Sequence, residues 1–139
     1  MVDIKKSPIT LTLQLISRKW TIEIITDLMQ GRKRFSDFLE AHAGLSSKML
    51  SERLKELYNE GFVEKIVTNM MPLRVKYQIT DQGRLLNRVL YEMALFGVMV
   101  YSDDVLGSQN LAPSEIIKLY AALYCIGENE AELRLQNPE

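Results

Sequence analysis

The chain is poor in the residues that most often carry catalysis and metal binding: its 139 residues include one cysteine, one histidine and one tryptophan. One cysteine excludes a disulfide framework within a single chain, and His42, with no second histidine or cysteine to join it, leaves no ligand set for a zinc site. His42 therefore reads as a surface residue at the end of a short helix. No Gly-rich phosphate loop and no nucleophile elbow occurs, and the acidic pair Asp103 and Asp104 falls in a linker, where its role is solvation. Neither an enzyme nor a cofactor is expected. No apolar run reaches the roughly 18 residues that a membrane span requires and no signal peptide is recognisable, so the expected location is cytoplasmic, away from any membrane.

Strong net charge is also missing: 17 Lys+Arg against 18 Asp+Glu give −1. Taken alone, that balance argues against a nucleic-acid partner. The distribution reverses the argument, because residues 1–90 hold 15 basic and 10 acidic side chains, net +5, whereas residues 91–139 hold 2 and 8, net −6. The N-terminal part suits a polyanion, and the acidic surplus lies in the tail. With 47% hydrophobic residues, a chain of this length can bury one respectable core.

Residues 44–80 (GLSSKMLSERLKELYNEGFVEKIVTNMMPLRVKYQIT) are the most informative stretch. Leu50, Leu54 and Leu57 recur at i, i+4 and i+7, so one side of a helix is apolar, while Lys48, Ser51, Glu52 and Lys55 lie on the other. Ser46 or Ser47 can cap the start, and Gly61 supplies the left-handed residue that stops the helix. After Gly61 the period falls from 3.6 to 2. Phe62, Val63 and Ile66 open one strand, and Val75, Tyr77 and Ile79 alternate with Arg74, Lys76 and Gln78 in a returning strand. Thr68 to Leu73 is the expected hairpin tip, with Asn69 and Pro72 as turn residues. Upstream, residues 34–42 read as a short helix with Phe35, Phe38 and Leu39 inward, joined through Ala43, Gly44 and Leu45 to the helix at 46–60. Helix, tight turn, helix and hairpin in this order give a mainly α fold with a small antiparallel β-hairpin wing, the plan of a winged helix-turn-helix.

A set of motifs in order makes the resemblance specific: Lys19-Trp20; Gly31-Arg32-Lys33-Arg34-Phe35; Gly44-Leu45-Ser46 with Lys48-Met49-Leu50, Arg53-Leu54 and Leu57; Gly61-Phe62-Val63-Glu64; and Arg74-Val75 with Tyr77, Ile79-Thr80 and Gly83. Over about residues 7–100 the chain resembles the HxlR-type family of bacterial and archaeal transcriptional regulators. The resemblance implies a homodimeric winged-helix protein that binds operator DNA near promoters. Many members sense electrophiles or oxidants through a cysteine just before a proline near the N-terminus, but here Ser7 precedes Pro8. That thiol switch has no nucleophile in this chain. The lone cysteine, Cys125, lies in an apolar helical context and reads as a small core residue. Two smaller departures are Ser17-Arg18 before Lys19-Trp20, where small residues are frequent, and Met70-Met71 at the wing tip, where prolines are frequent. The alternation of Ile9, Leu11, Leu13 and Leu15 suits a strand, and Leu11, Leu15 and Ile16 also fit a helix; only the resemblance selects the helix. Trp20 opens the next helix, over 20–30, as a core anchor.

The double-stranded DNA partner assigns roles by position. Ser47, Lys48, Ser51, Glu52 and Lys55 on the outer face of helix 46–60 are the expected base readers in the major groove: lysine donates to guanine, glutamate accepts from cytosine, and serine adapts. Arg18, Lys19, Arg32, Lys33, Arg34, Arg53, Arg74 and Lys76 are candidates for phosphate contacts, which position a protein without reading sequence. Arg53 lies nearer the packing stripe and can instead brace Glu56 or Glu60. Glu64 and Lys65 beside Lys76 can pair across the strands. Any one of these residues alone reads better as a solvated surface charge; it is the set, on one motif, that points to DNA.

The segment 81–103 reads as a dimerisation helix appended to the winged domain, which would then span 1–103. From Ala94 to Tyr101 every residue is apolar, so both sides of this helix need cover. A homodimer through Leu86, Leu90, Met93, Phe96, Gly97, Val100, Tyr101 and Tyr120 supplies it; a central core helix of a monomer is the bland alternative. Residues 104–139 read as a linker (106–112) and a C-terminal helical extension from Pro113, ended by Gly127 and packed on the dimer interface. Two further functions stay open: a winged-helix module for protein contacts, and a regulator gated by a small hydrophobic effector held among Met93, Met99, Tyr120 and Tyr124.

Overall fold

The computed structural model describes residues 5–107 and 111–127. The chain divides into two compact units at the junction of Thr80 and Asp81, where the expected dimerisation helix begins.

The first unit begins with α1 (Pro8–Ile16), so the ambiguous N-terminal stretch is helical, with Pro8 in its first turn and Ser7 as N-cap accepting from the Thr10 N–H. Then come α2 (Thr21–Met29), α3 (Phe35–Ala41) and α4 (Ser47–Asn59). The core of this unit is assembled from one stripe of each helix: Leu15 and Ile16; Ile24, Ile25, Leu28 and Met29; Phe38; and Leu50, Leu54 and Leu57, all buried. Trp20 is not a deep anchor. It sits half-buried at the N-cap of α2 in a left-handed conformation, φ 74°, with its ring 5.7 Å from that of His42. A Cβ on Gly44 would lie 3.3 Å from Trp20 Cζ2, so the α3–α4 turn passes close over the indole. His42 is likewise no surface residue: its Nε2 lies 2.7 Å from Asp27 Oδ2 and tethers the end of α3 to α2.

Helix α4 follows its sequence signals closely. Ser46 caps it through the Met49 N–H. At the other end the Gly61 N–H donates to Tyr58 O and the Phe62 N–H to Leu57 O, with Gly61 at φ +83°. This is the paired closure that a left-handed residue after a helix permits. The chain then enters β1 (Val63–Met70), which pairs antiparallel with β2 (Leu73–Ile79). The strands run further than the pattern suggests: only Met71 and Pro72 form the turn, across a cis peptide bond, and Thr68 is an extra residue in the register between Val67 and Asn69. A two-stranded ribbon is marginal alone. Here α4 packs on β1 and α2 on β2, the Thr80 hydroxyl donates to Gly61 O at the base, and Lys33 exchanges two backbone hydrogen bonds with Tyr77.

The second unit comprises α5 (Asp81–Arg84), α6 (Leu86–Val100), α7 (Ser102–Leu106) and α8 (Pro113–Leu123), with α6 packed against α8. The linker expected over 106–112 lies partly outside the described residues, and the polar tail after Gly127 lies wholly outside them. Helix α8 stops earlier than expected. Its closure runs through Cys125 at φ 56°, with the Cys125 N–H donating to Ala122 O and the Ile126 N–H to Ala121 O. That geometry turns the Cys125 side chain outward while Tyr124 and Ile126 are buried, so the cysteine is exposed and is not a core residue. Among the described residues, no helix is long and apolar enough to cross a membrane.

Candidate nucleic-acid interface

Five side chains share the outer face of α4. Ser47, Lys48, Ser51, Glu52 and Lys55 are all exposed, on the side away from Leu50, Leu54 and Leu57. The first turn of α4 carries no acidic residue, so the positive end of the helix and Lys48 add rather than cancel.

The basic residues divide into two groups by their partners. Arg18 places Nη1 and Nη2 each 3.0 Å from the Glu60 carboxylate and reaches Glu56 at 3.5 Å. The hydrogen bonds and charge of Glu60 raise its pKa further above the ordinary arginine value. Arg53 donates through Nε to Lys19 O at 2.7 Å and through Nη1 to both Glu56 oxygens at 3.1 Å. These two guanidinium groups, both expected as phosphate contacts, clamp the α1–α2 turn to the last turns of α4. Arg53 braces Glu56, one of the two alternatives its position leaves open.

The other cations lie along the wing and its flank. Arg32 donates through Nε to Gln78 Oε1 at 2.6 Å, and Gln78 passes the link on to Glu64 at 2.8 Å; Glu64 therefore meets Gln78, directly opposite, and not Lys76. Arg34 holds Asp37 through Nη2 at 3.2 Å and through its own backbone N–H at 2.7 Å. That pair of donors keeps the Asp37 carboxyl below its usual pKa. Lys19 lies with Nζ 5.8 Å from the Trp20 ring centre. Lys33, Lys48, Lys55, Arg74 and Lys76 have no carboxylate within ion-pair distance among the described residues. Arg34, Arg74 and Lys76 line one open cleft of about 720 Å³ with Phe35, Ser36, Asp37, Thr68 and Val75. The backbone bridge between Lys33 and Tyr77 is what brings residues 32–34 alongside β2.

Sequence reasoning missed a second, smaller cleft of about 320 Å³ between α4 and the hairpin, lined by Ser51, Leu54, Lys55, Tyr58, Asn59, Lys65 and Tyr77. Lys65 sits over the Tyr58 ring at 5.3 Å, and burial raises the Tyr77 pKa. The i+7 spacing of Ser51 and Tyr58 on α4 is the signal that could have found it.

In the second unit, the expected interface set splits. Leu86 and Leu90 are buried within the chain. Met93, Phe96, Val100 and Tyr101 are exposed, Gly97 and Tyr120 half-exposed, and Tyr120 stacks on Tyr124 at 6.2 Å. Leu85 and Val89 are exposed as well, so Leu85, Val89, Met93, Phe96 and Val100 make one apolar stripe at spacings of four, four, three and four. An all-round apolar helix conceals its phase in sequence, so the expected set holds the buried Leu86 and Leu90 and omits the exposed Leu85 and Val89.

A capped helix with a polar outer face, a tight turn to the helix before it and a hairpin directly after it define a winged helix-turn-helix protein. Residues 15–104 match the model of the HxlR-like helix-turn-helix family. The chain belongs to this family and is a DNA-binding transcriptional regulator. It is similar to the HTH-type transcriptional regulator YvaP of Bacillus subtilis, 39% identical over 82 residues that cover 59% of this chain and 76% of YvaP. Against the regulator YodB of the same organism it is 42% identical over 79 residues, 57% of this chain and 70% of YodB. The structure of reduced YodB superposes with a TM-score of 0.64, covering 70% of this chain and 95% of that one at 34% identity. A regulator of the MarR family from Enterococcus faecalis gives a TM-score of 0.67 at 30% identity, covering 76% of this chain and 96% of its own.

Proposed function

We propose that the protein acts as a twofold homodimer whose two copies of α4 enter successive major grooves of an operator, with the wing, residues 62–80, on the flanking backbone or in the minor groove. The carrying observation is the single outer face of α4, where Ser47, Lys48, Ser51, Glu52 and Lys55 are exposed together and both lysines lack a carboxylate partner among the described residues. Lys48 and Lys55 are the base-reading cations, Glu52 is an acceptor for cytosine, and Ser47 and Ser51 adapt to either base. Arg34, Arg74 and Lys76, which line the cleft beside the outer half of the wing, contact phosphates, as do Lys33, Lys19 and Arg32. The apolar stripe on α6 supports the dimer, since an exposed row of large apolar side chains is the usual mark of a protein interface.

The reading is tested by reversing Lys48 and Lys55 to Glu. The double variant is expected to keep the dimer and the fold and to lose binding to a promoter fragment. Unchanged binding removes α4 as the reading element. The alternative module for protein contacts predicts no specific duplex binding by either form.

A further inference from the structure

The wing ends in an apolar point. Met71 is 90% exposed, Met70 72%, Leu73 66% and Val67 52%, although each would lower its free energy by leaving water. Within the hairpin nothing acidic accompanies them: from Lys65 to Thr80 the chain has three cations, Lys65, Arg74 and Lys76, and no carboxylate, and Asp37, which shares the cleft with Arg74 and Lys76, is paired with Arg34. The point is also built rather than loose. Asn69 Oδ1 accepts from the Met71 N–H at 3.2 Å, and the Thr68 hydroxyl donates to Arg74 O at 3.3 Å, both close to a two-residue turn. Thr68 is the unpaired residue of the bulge, a device that increases strand twist and re-aims the residues beyond it.

Apolar side chains flanked by cations have a specific complement. The minor groove of DNA is about 6 Å wide, with phosphates along both rims and sugar faces and base steps inside. Proteins that insert apolar side chains there unstack a step and bend the duplex toward the major groove. We propose that Met70, Met71 and Leu73 form a wedge that enters the minor groove beside each half-site and opens a base step, while Arg74 and Lys76 hold the rims. This rests on the DNA-reading function proposed above and adds a mode of recognition: the wing selects by deformability. Flexible pyrimidine–purine steps are favoured at the wedge position and stiff A-tracts disfavoured, without any hydrogen bond to a base. Methionine suits the task, because its unbranched, polarisable side chain adapts to an irregular gap.

The test uses the full chain and a duplex from its own upstream region that it protects in footprinting. Bending is read by the end-to-end distance of a doubly labelled duplex, and unstacking by a fluorescent adenine analogue placed at successive steps flanking the protected half-site. The wild-type protein is expected to bend the duplex and to brighten the analogue at one step per half-site. Met71→Ala with Leu73→Ala is expected to abolish both signals and weaken affinity about tenfold, leaving the salt dependence unchanged because no cation is removed. Since these side chains are exposed, the thermal midpoint stays the same. Binding without bending or unstacking by the wild type, or signals that persist in the double variant, overturns the wedge alone. A double variant that binds and bends DNA normally but changes oligomeric state also overturns it, and assigns the tip to a protein contact. Failure of the wild type to bind any duplex overturns the DNA-reading function, and the wedge with it.

Discussion

Arg18 and Glu60 face each other end to end: both terminal nitrogens of the guanidinium lie 3.0 Å from the carboxylate, and Glu56 adds a third oxygen at 3.5 Å. The pair joins residues 42 apart in the chain and fixes the end of α4 against the α1–α2 turn. Arg18 is thus a cation of the basic half that positions the reading helix from behind. Arg18→Ala is expected to lower stability by about 0.5–1 kcal/mol, the range for a well-aligned, half-exposed pair. It should leave the slope of DNA affinity against salt unchanged. Arg74→Ala should do the reverse, with stability unchanged and the slope reduced by about one unit for each site. Denaturant titration and filter binding across a salt series separate the two.

Gly61 carries the turn from α4 to the wing at φ +83°. An alanine there places a Cβ in a conformation that costs roughly 1–2 kcal/mol, and the hairpin depends on the closure it makes with Tyr58 and Leu57. Gly61→Ala is expected to lose that much stability by chemical unfolding. Its hairpin amides should exchange with solvent faster than those of α2.

Two pKa shifts set opposite pH limits. The Asp37 carboxyl is held below its ordinary value by the Arg34 backbone N–H and side chain. Its contribution is therefore full above about pH 4 and fades as pH falls through the depressed folded value. Tyr77 is raised by burial, so the neutral phenol is favoured in the fold and its contribution fades as pH climbs beyond about 10. Asp37→Asn should flatten the acid limb of a stability–pH curve, and Tyr77→Phe the alkaline limb, each leaving the other untouched.

On α6 the proposed dimer makes a sharp distinction between neighbours. Phe96→Glu charges the exposed stripe and is expected to give a folded monomer by sedimentation, with weakened operator binding. Leu90→Ala removes a buried side chain and is expected to destabilise the protomer by about 2–4 kcal/mol. A Phe96→Glu variant that sediments as the wild type would place the interface elsewhere.

These contrasts also mark what is legible in the residues themselves. Helix α4 is readable almost to the residue, because its stripe, its serine cap and its glycine stop agree with one another. The wing is placed correctly from sequence but cut short: Thr68 to Met70 carry no alternation, since the bulge at Thr68 breaks the period and side chains at the tip face water on both sides. The base-reading candidates depend directly on the phase of α4. Partnerships of cations do not, because Arg18 and Arg53 find Glu56 and Glu60 through tertiary packing that no local spacing encodes. Cys125 departs from its pattern for a backbone reason. An apolar helical pattern passes through it, yet the chain takes a left-handed step there and turns the thiol out.

The response of duplex binding to salt tests most directly whether these cations converge on DNA. A dimer of this wing and helix, contacting about six to ten phosphates, should lose roughly 10³–10⁵ in affinity for its operator fragment between 50 and 200 mM monovalent salt, with a linear double-logarithmic slope. An affinity that stays flat over that range would contradict the convergence of these cations on DNA.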